Sequence, residues 1–267
     1  MKLKIFDTKA TIISKKRAFK DWNSHNFLFN NISDSVLEKI TEIKDSYKNI
    51  LLITSDKDEL LSKIFNLKFD SIIIVSYFEN KRLKESKNYD FSELPKIFNS
   101  KRFEESFDLV ISNLCLHRVN DIMNFTNSIK KLLTKNGLYF CSYFGGRSLN
   151  ELRESLIQTD DQIRNKIFQR VIPFIDMVDA VNIHNKIGFI EIVSDKTKYN
   201  LKYTNVKKIL EDIKGMGENS CLTEKFKGLI TKNFIDQLEI NYKKKFLTSD
   251  NKLKLTCETI YLVMWKI

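Results

Sequence analysis

The sequence predicts an α/β fold in which helices flank a mostly parallel sheet, with an antiparallel last strand and a helical lid inserted before that strand. Three observations support this fold class. Four short apolar runs are separated by amphipathic segments of helical period, the later half carries long helical patterns, and the segment 253–265 alternates with a period of two. Buried parallel strands read as continuous apolar runs, and strands that alternate with helices indicate a parallel sheet.

The elements follow one another in a regular order. The apolar runs predict strands at 50–54, 71–76, 107–112 and 138–143, and helical periods lie at 35–44, 59–65 and 122–133, the last ending at Asn136-Gly137. In the later half, helical patterns cover 149–163, 176–186 (closed by Gly188), 205–214 and 224–246, and a strand is predicted at 189–194. The last strand places Leu255, Cys257, Thr259, Tyr261 and Val263 on one side.

The length favours a single domain with an elaboration. Its parts are predicted as an N-terminal helical region at 1–46, a core sheet at 47–200, a helical lid at 201–250 and a final strand at 251–267. We expect the lid stretch 205–246 to cover the crevice above Asn113 and His117.

Composition narrows the class of protein. Lys and Arg outnumber Asp and Glu by 45 to 34, but the lysines are spread along the chain, so the charge indicates solvated surface and makes a nucleic-acid partner the weaker interpretation. The four cysteines lie far apart, which predicts no metal site and suits a reducing compartment. The N-terminus is too short and charged for a signal peptide, and no apolar run approaches the roughly 20 residues of a membrane span. We therefore predict a cytoplasmic protein without an integral membrane segment.

Short motifs along nearly the whole chain carry a family resemblance. In order they are Ile5-Phe6-Asp7, Arg17-Ala18, Phe27-Leu28, Phe107-Asp108-Leu109-Val110, Leu116-His117, Val119-Asn120-Asp121, Gly145-Gly146 with Leu149 and Glu151-Leu152-Arg153, Pro173-Phe174 with Asp176 and Asp179, Gly188-Phe189, and Gly215-Met216-Gly217-Glu218. Together they resemble the Rossmann-like, class I S-adenosylmethionine-dependent methyltransferase superfamily. Within it, the chain is similar to the complex I assembly-factor (arginine hydroxylase) branch and to the malonyl-carrier-protein methyltransferases of biotin synthesis.

The resemblance implies S-adenosyl-L-methionine as the cofactor. It also implies a methyltransferase, or a protein-modifying factor of the complex I assembly type. The substrate would be a protein, such as a subunit of respiratory complex I, or a small acyl compound. A nucleic-acid methyltransferase is the third hypothesis and is suggested by charge alone.

Two features that such a cofactor site needs are missing from the sequence. The turn after the first strand reads Ile53-Thr54-Ser55-Asp56-Lys57-Asp58, and all seven glycines lie at Gly137 or later, although a glycine there would let the backbone approach the ligand. The second strand runs into Ser76-Tyr77 where the family places an acid, and Glu79 is the nearest carboxylate. Two alternatives remain open: a remodelled cofactor site, or a non-catalytic assembly or scaffold protein with a degenerate one. Our hypothesis from the sequence is weak or absent affinity for the cofactor, and binding in the low micromolar range would instead indicate the remodelled site.

Seven residues are candidates for the site. Ser55, Asp56, Glu79, Asp90 and Asn113 are the cofactor-binding candidates, and His117 and Arg147 are the catalytic candidates. The resemblance places Asp90 on the adenine amine, for which a carboxylate is a sound acceptor; the alternative is an exposed loop residue. Asn113 and His117 follow the third strand, and the carboxyl ends of parallel strands form the ligand crevice. Arg147 follows a glycine pair and could bind a carboxylate; the alternative is a surface charge.

Overall fold

The computed structural model describes residues 4–78, 87–226 and 228–267. Its strands are β1 (Ser46–Thr54), β2 (Lys68–Ser76), β3 (Lys87–Asp90), β4 (Phe107–Asn113), β5 (Leu133–Phe144), β6 (Ile190–Tyr203) and β7 (Leu253–Trp265). Its α-helices are α1 (Thr8–Ala18), α2 (Phe27–Ile43), α3 (Glu59–Ile64), α4 (Leu94–Phe98), α5 (Ile122–Leu132), α6 (Asn150–Arg164), α7 (Met177–Ile187), α8 (Val206–Gly215) and α9 (Lys232–Phe246).

The strands form one sheet in the order β3-β2-β1-β4-β5-β7-β6. The pairs β1–β2, β1–β4, β2–β3 and β4–β5 are parallel. Strand β7 lies between β5 and β6 and is antiparallel to both, so β6 runs in the same direction as β5. The prediction of a mostly parallel sheet with an antiparallel last strand is therefore confirmed.

Helices cover both faces of this sheet. On one face Phe29 and Ile32 of α2 pack in the same apolar cluster as Leu238 of α9. On the other face Ile129 of α5 and Ala180 of α7 belong to a second cluster. Both helical layers cover β7, so neither face of this strand is exposed to solvent despite its alternating sequence pattern. Its two sets of alternate side chains are buried, one set in each cluster.

Several element boundaries differ from the sequence prediction. Helix α5 ends at Leu132 and β5 begins at once, so Asn136-Gly137 lies within a strand, where Asn136 has a φ of 60°. Helix α9 begins at Lys232 instead of 224, because the side chain of Thr231 caps it by accepting from the Phe234 amide. Strand β6 continues to Tyr203 instead of ending at 194, because backbone pairing with β7 sustains this polar edge strand.

Strand β3 was not predicted, since its four residues are polar and only partly buried.

Across the described residues, no helix combines the length and the apolar character that crossing a bilayer requires. The division of the chain into regions at 46, 200 and 250 stays a prediction.

Candidate functional site

The turn after β1 is closed by its own side chains. Thr54, Ser55 and Asp56 are each at most 1% exposed. The Thr54 hydroxyl donates to Oδ2 of Asp56 at 2.8 Å, and the side-chain amide of Asn113, at the end of β4, donates to the same oxygen at 2.6 Å. The Ser55 amide donates to the carbonyl of Asn113 at 3.1 Å. The predicted residues Ser55, Asp56 and Asn113 therefore lie together; the side chains of Asp56 and Asn113 bind one another, whereas Ser55 takes part through its backbone amide alone.

Burial also changes the ionisation of this cluster. Removal from water, with the Glu59 carboxylate nearby, raises the pKa of Asp56 to about 7, although the hydrogen bonds from Thr54 and Asn113 favour the ionised form. At neutral pH the Asp56 carboxyl group is therefore partly protonated.

The N-terminal segment is hydrogen-bonded to the same turn through the buried carboxylate of Glu59. Glu59, the first residue of α3, accepts from the Trp22 indole at 2.5 Å and from the Asn26 side chain at 2.9 Å. Its second oxygen accepts from the amides of Lys57 and Asp58. Nothing in the sequence marks this contact beyond an acid at the start of a helix, which is ordinary for a helix N-terminus.

The end of β2 carries an aromatic stack instead of a carboxylate. The Ser76 hydroxyl donates to the Phe78 carbonyl at 2.5 Å. Tyr77 is buried and stacks on Phe91 with a ring separation of 4.2 Å and an angle of 14° between the planes. The candidate Glu79 lies outside the described residues.

Asp90 ends β3, directly opposite Ser76 in the register of β2 and β3. Its carboxylate accepts from the Lys16 ammonium at 2.7 Å and from the amide and hydroxyl of Ser92 at 2.9 and 2.7 Å. Hydrogen bonds from Lys16 and Ser92 outweigh partial burial and lower its pKa. Asp90 thus stands at the expected edge of the sheet, as the cap of a short helical turn.

A buried ion cluster lies beside the carboxyl end of β4. Glu218, which follows α8, binds Lys15 of α1 through Oε1. Its Oε2 accepts from the Arg118 guanidinium at 2.8 and 3.0 Å and lies 3.1 Å from Nε2 of His117. All four side chains are at most 7% exposed. The cluster therefore joins the N-terminal helix, the end of β4 and the lid.

The charges of this cluster set its protonation. Burial opposes ionisation of Glu218, but the charges of Arg118 and Lys15 outweigh it and hold the pKa of Glu218 well below its ordinary value. Burial lowers the pKa of His117 despite the opposing effect of Glu218, so the imidazole is neutral at physiological pH. The segment after α8 contacts His117 through Glu218. That the stretch 205–246 covers Asn113 as well stays a prediction.

Arg147 is separate from this arrangement. It is exposed in the turn after β5 and takes part in no hydrogen bond or ion pair among the residues that the structure describes. The roles assigned to His117 and Arg147 stay predictions.

The residues present do not fit S-adenosylmethionine. The cofactor has to touch the turn after β1, yet Thr54, Ser55 and Asp56 of that turn are each at most 1% exposed. Glycine is absent from it, and the described end of β2 supplies Ser76 and Tyr77 in place of a ribose-binding acid. We derive no chemical step through this cofactor.

The chain is similar to known proteins in both sequence and fold. A family model described as a methyltransferase domain matches residues 69–141. The arginine hydroxylase NDUFAF5 of Dictyostelium discoideum, named as mitochondrial, is 27% identical over 290 positions, covering 99% of this chain and 66% of that protein. A candidate methyltransferase of Rickettsia prowazekii, RP459, is 29% identical over 202 positions, covering 75% and 78%. The malonyl-[acyl-carrier protein] O-methyltransferase of Methylovorus sp. strain MP688 is 30% identical over 161 positions, covering 60% and 52%.

The chain spans 66% of the length of the Dictyostelium discoideum arginine hydroxylase and 47% of that of Homo sapiens. Among solved structures, a candidate methyltransferase from Bacillus halodurans superposes with a TM-score of 0.55 at 11% identity, covering 87% of this chain and 99% of that one. The YcgJ protein of Bacillus subtilis gives 0.54 at 9% identity, covering 87% and 98%. At such identities these structures show the fold alone. The chain has the fold of the class I methyltransferases, and it is similar in sequence to the NDUFAF5 arginine hydroxylases and to the malonyl-[acyl-carrier protein] O-methyltransferases.

Proposed function

We propose that this chain is a non-catalytic factor of the complex I assembly type, which binds a protein partner and has weak or absent affinity for S-adenosylmethionine. The observation that carries the proposal is the closed turn after β1. There the Asp56 carboxyl group faces Thr54 and Asn113 instead of a ligand.

The missing contacts weaken the binding of S-adenosylmethionine. A charge-assisted hydrogen bond contributes about 1.5–3 kcal/mol, so the loss of the ribose-binding acid alone weakens binding by roughly ten- to a hundredfold. The buried side chains of the turn add a steric barrier, since Thr54, Ser55 and Asp56 have to move before any ligand can reach the backbone.

A modifying enzyme is the competing function. The neutral, buried His117 at the carboxyl end of β4 is the observation that favours it, because an imidazole there could transfer a proton. That function needs a bound cofactor, so one measurement separates the two proposals.

The test is calorimetric titration of the full chain with S-adenosylmethionine and with its demethylated product at physiological salt. We expect no saturable heat up to millimolar ligand, with circular dichroism confirming a folded protein. A dissociation constant in the low micromolar range would overturn the proposal and make the enzyme the leading function.

The partner and the location follow from the same proposal. A subunit of respiratory complex I is the partner suggested by the relatives named as NDUFAF5. We also propose a cytoplasmic location, which suits four free and buried cysteines. Crosslinking of the tagged chain in its own cells, followed by fractionation, tests both points; recovery without any complex I subunit contradicts the partner, and recovery outside the cytoplasm contradicts the location.

A further inference from the structure

An apolar chamber of about 250 Å³ lies beneath the lid, and the proposed function does not use it. Twelve of its eighteen lining residues are apolar, including Leu152 and Leu156 of α6, Ile213 of α8, and Phe234 and Leu238 of α9. Apolar cavities bind apolar molecules, and one of about 150 Å³ is large enough for benzene. By the same measure, this chamber has room for a chain of roughly ten carbon atoms.

The charged groups that line the chamber are already neutralised, with one exception. Arg170 is bound to Asp160 by two hydrogen bonds of 2.6 and 2.7 Å, and Glu218 belongs to the ion cluster described above. Lys225 is exposed and forms no ion pair within the described part of the chain. The unneutralised charge of the chamber is therefore positive and lies at one end.

That end adjoins a second, larger cavity. A groove of about 930 Å³ between α1 and α8 shares Asn219, Ser220 and Lys225 with the chamber. Five Lys or Arg residues line this groove against three carboxylates. All three carboxylates are engaged, Glu211 by Lys208 at 2.7 Å, Asp212 by Nδ1 of His25 at 2.6 Å and Asp21 by Nε2 of the same imidazole at 3.7 Å. The groove therefore has an excess of positive charge where it meets the chamber.

We infer that the chamber and the groove form one binding site for a single-chain amphiphile with an anionic head group. The apolar chain lies in the chamber, and the head lies beside Lys225 in the cationic groove. Ile230, which lines the chamber together with Lys225, is 56% exposed, so the wall of the chamber is open to solvent at an apolar side chain.

The inference is tested by calorimetric titration with decyl phosphate and with decanoate, both below the concentration at which they form micelles. We expect saturable binding of at least one, with a dissociation constant below about 100 μM. The tighter of the two identifies a phosphate or a carboxylate head. Decyltrimethylammonium, which has the same chain and the opposite charge, is expected to bind at least about tenfold more weakly.

Variants separate the chain-binding and head-binding parts. Ile235→Trp fills the chamber from a partly exposed position and is expected to abolish binding. Lys225→Glu is expected to weaken binding of the anionic ligands by about three- to tenfold. Lys244→Glu, on the outer side of α9, makes the same charge change away from both cavities and is expected to have no effect.

Absence of saturable binding to either anion overturns the inference. So does equal binding by wild type and Ile235→Trp, by Lys225→Glu and Lys244→Glu, or by the cationic and anionic amphiphiles. The outcome is independent of the titration with S-adenosylmethionine, because the two ligands are predicted to occupy different parts of the molecule.

Discussion

Replacing Glu218 by glutamine removes a carboxylate to which Lys15, His117 and Arg118 all bind. The substitution keeps the size of the side chain but removes its charge. Lys15 and Arg118 are then left in a buried cluster without a counter-charge, since both side chains are at most 3% exposed. The effect is therefore expected to be large for a substitution of equal volume.

Breaking a buried ion pair by removing one partner costs about 3–5 kcal/mol, because the remaining charge keeps its desolvation penalty. For a protein of this size that corresponds to a fall in the melting temperature on the order of 10 °C. Burial already lowers the pKa of Lys15, and Glu218 opposes that effect. In the variant Lys15 loses its proton more readily. The difference in free energy of unfolding between wild type and Glu218→Gln is therefore expected to shrink as the pH rises into the alkaline range.

The assay is urea unfolding of wild type and Glu218→Gln followed by tryptophan fluorescence. Glu224→Gln is the matched control, since Glu224 is an exposed carboxylate of the same lid, and its effect should stay within about 0.5 kcal/mol. A deficit below about 1 kcal/mol for Glu218→Gln would refute the reasoning, because it would show that the cluster remains hydrated in solution.

Two further substitutions test other parts of the structure. The folded-state pKa of Asp56, about 7, exceeds its unfolded value near 3.9, so this group makes wild type lose stability as the pH rises between those values. The free energy of unfolding of Asp56→Asn, relative to that of wild type, should therefore rise by on the order of 4 kcal/mol as the pH rises from about 4 to 8.5, measured by urea unfolding. A difference between the two proteins that does not change with pH contradicts this prediction. Gly188 ends α7 with a φ of 86°, so Gly188→Ala should lower the free energy of unfolding by about 1 kcal/mol, measured as a shift of the urea midpoint. The control is Gly146→Ala, because Gly146 has no positive φ and an added Cβ there would make only ordinary van der Waals contacts. Equal effects of the two substitutions would contradict the argument.

The parts of the fold that were predictable are those with strong periodic patterns. The buried strands β1, β2, β4 and β5 each contain a continuous apolar run, and the segment of β7 alternates over its whole length. Strand β3 and the second half of β6 lack such patterns, because they are edge strands whose stability comes from backbone pairing. A one-dimensional pattern contains no information about which neighbour supplies those hydrogen bonds.

The site was predictable in its location but not in its contacts. The sequence indicated that Ser55, Asp56 and Asn113 gather at the carboxyl edge of the sheet, since each follows a parallel strand. It did not indicate that the Asp56 side chain turns inward or that Glu218 reaches His117, because these contacts join residues 57 and 101 positions apart. Long-range polar pairing depends on the completed tertiary structure.

The position of β7 has a consequence for synthesis on the ribosome. This strand is the last element in the sequence, yet it lies inside the sheet between β5 and β6. Until it emerges, β5 and β6 each present a row of unpaired amides and carbonyls, and edges of this kind recruit strands from other chains. The nascent protein therefore has a long interval in which aggregation competes with folding, and a chaperone that shields these two edges would raise its yield.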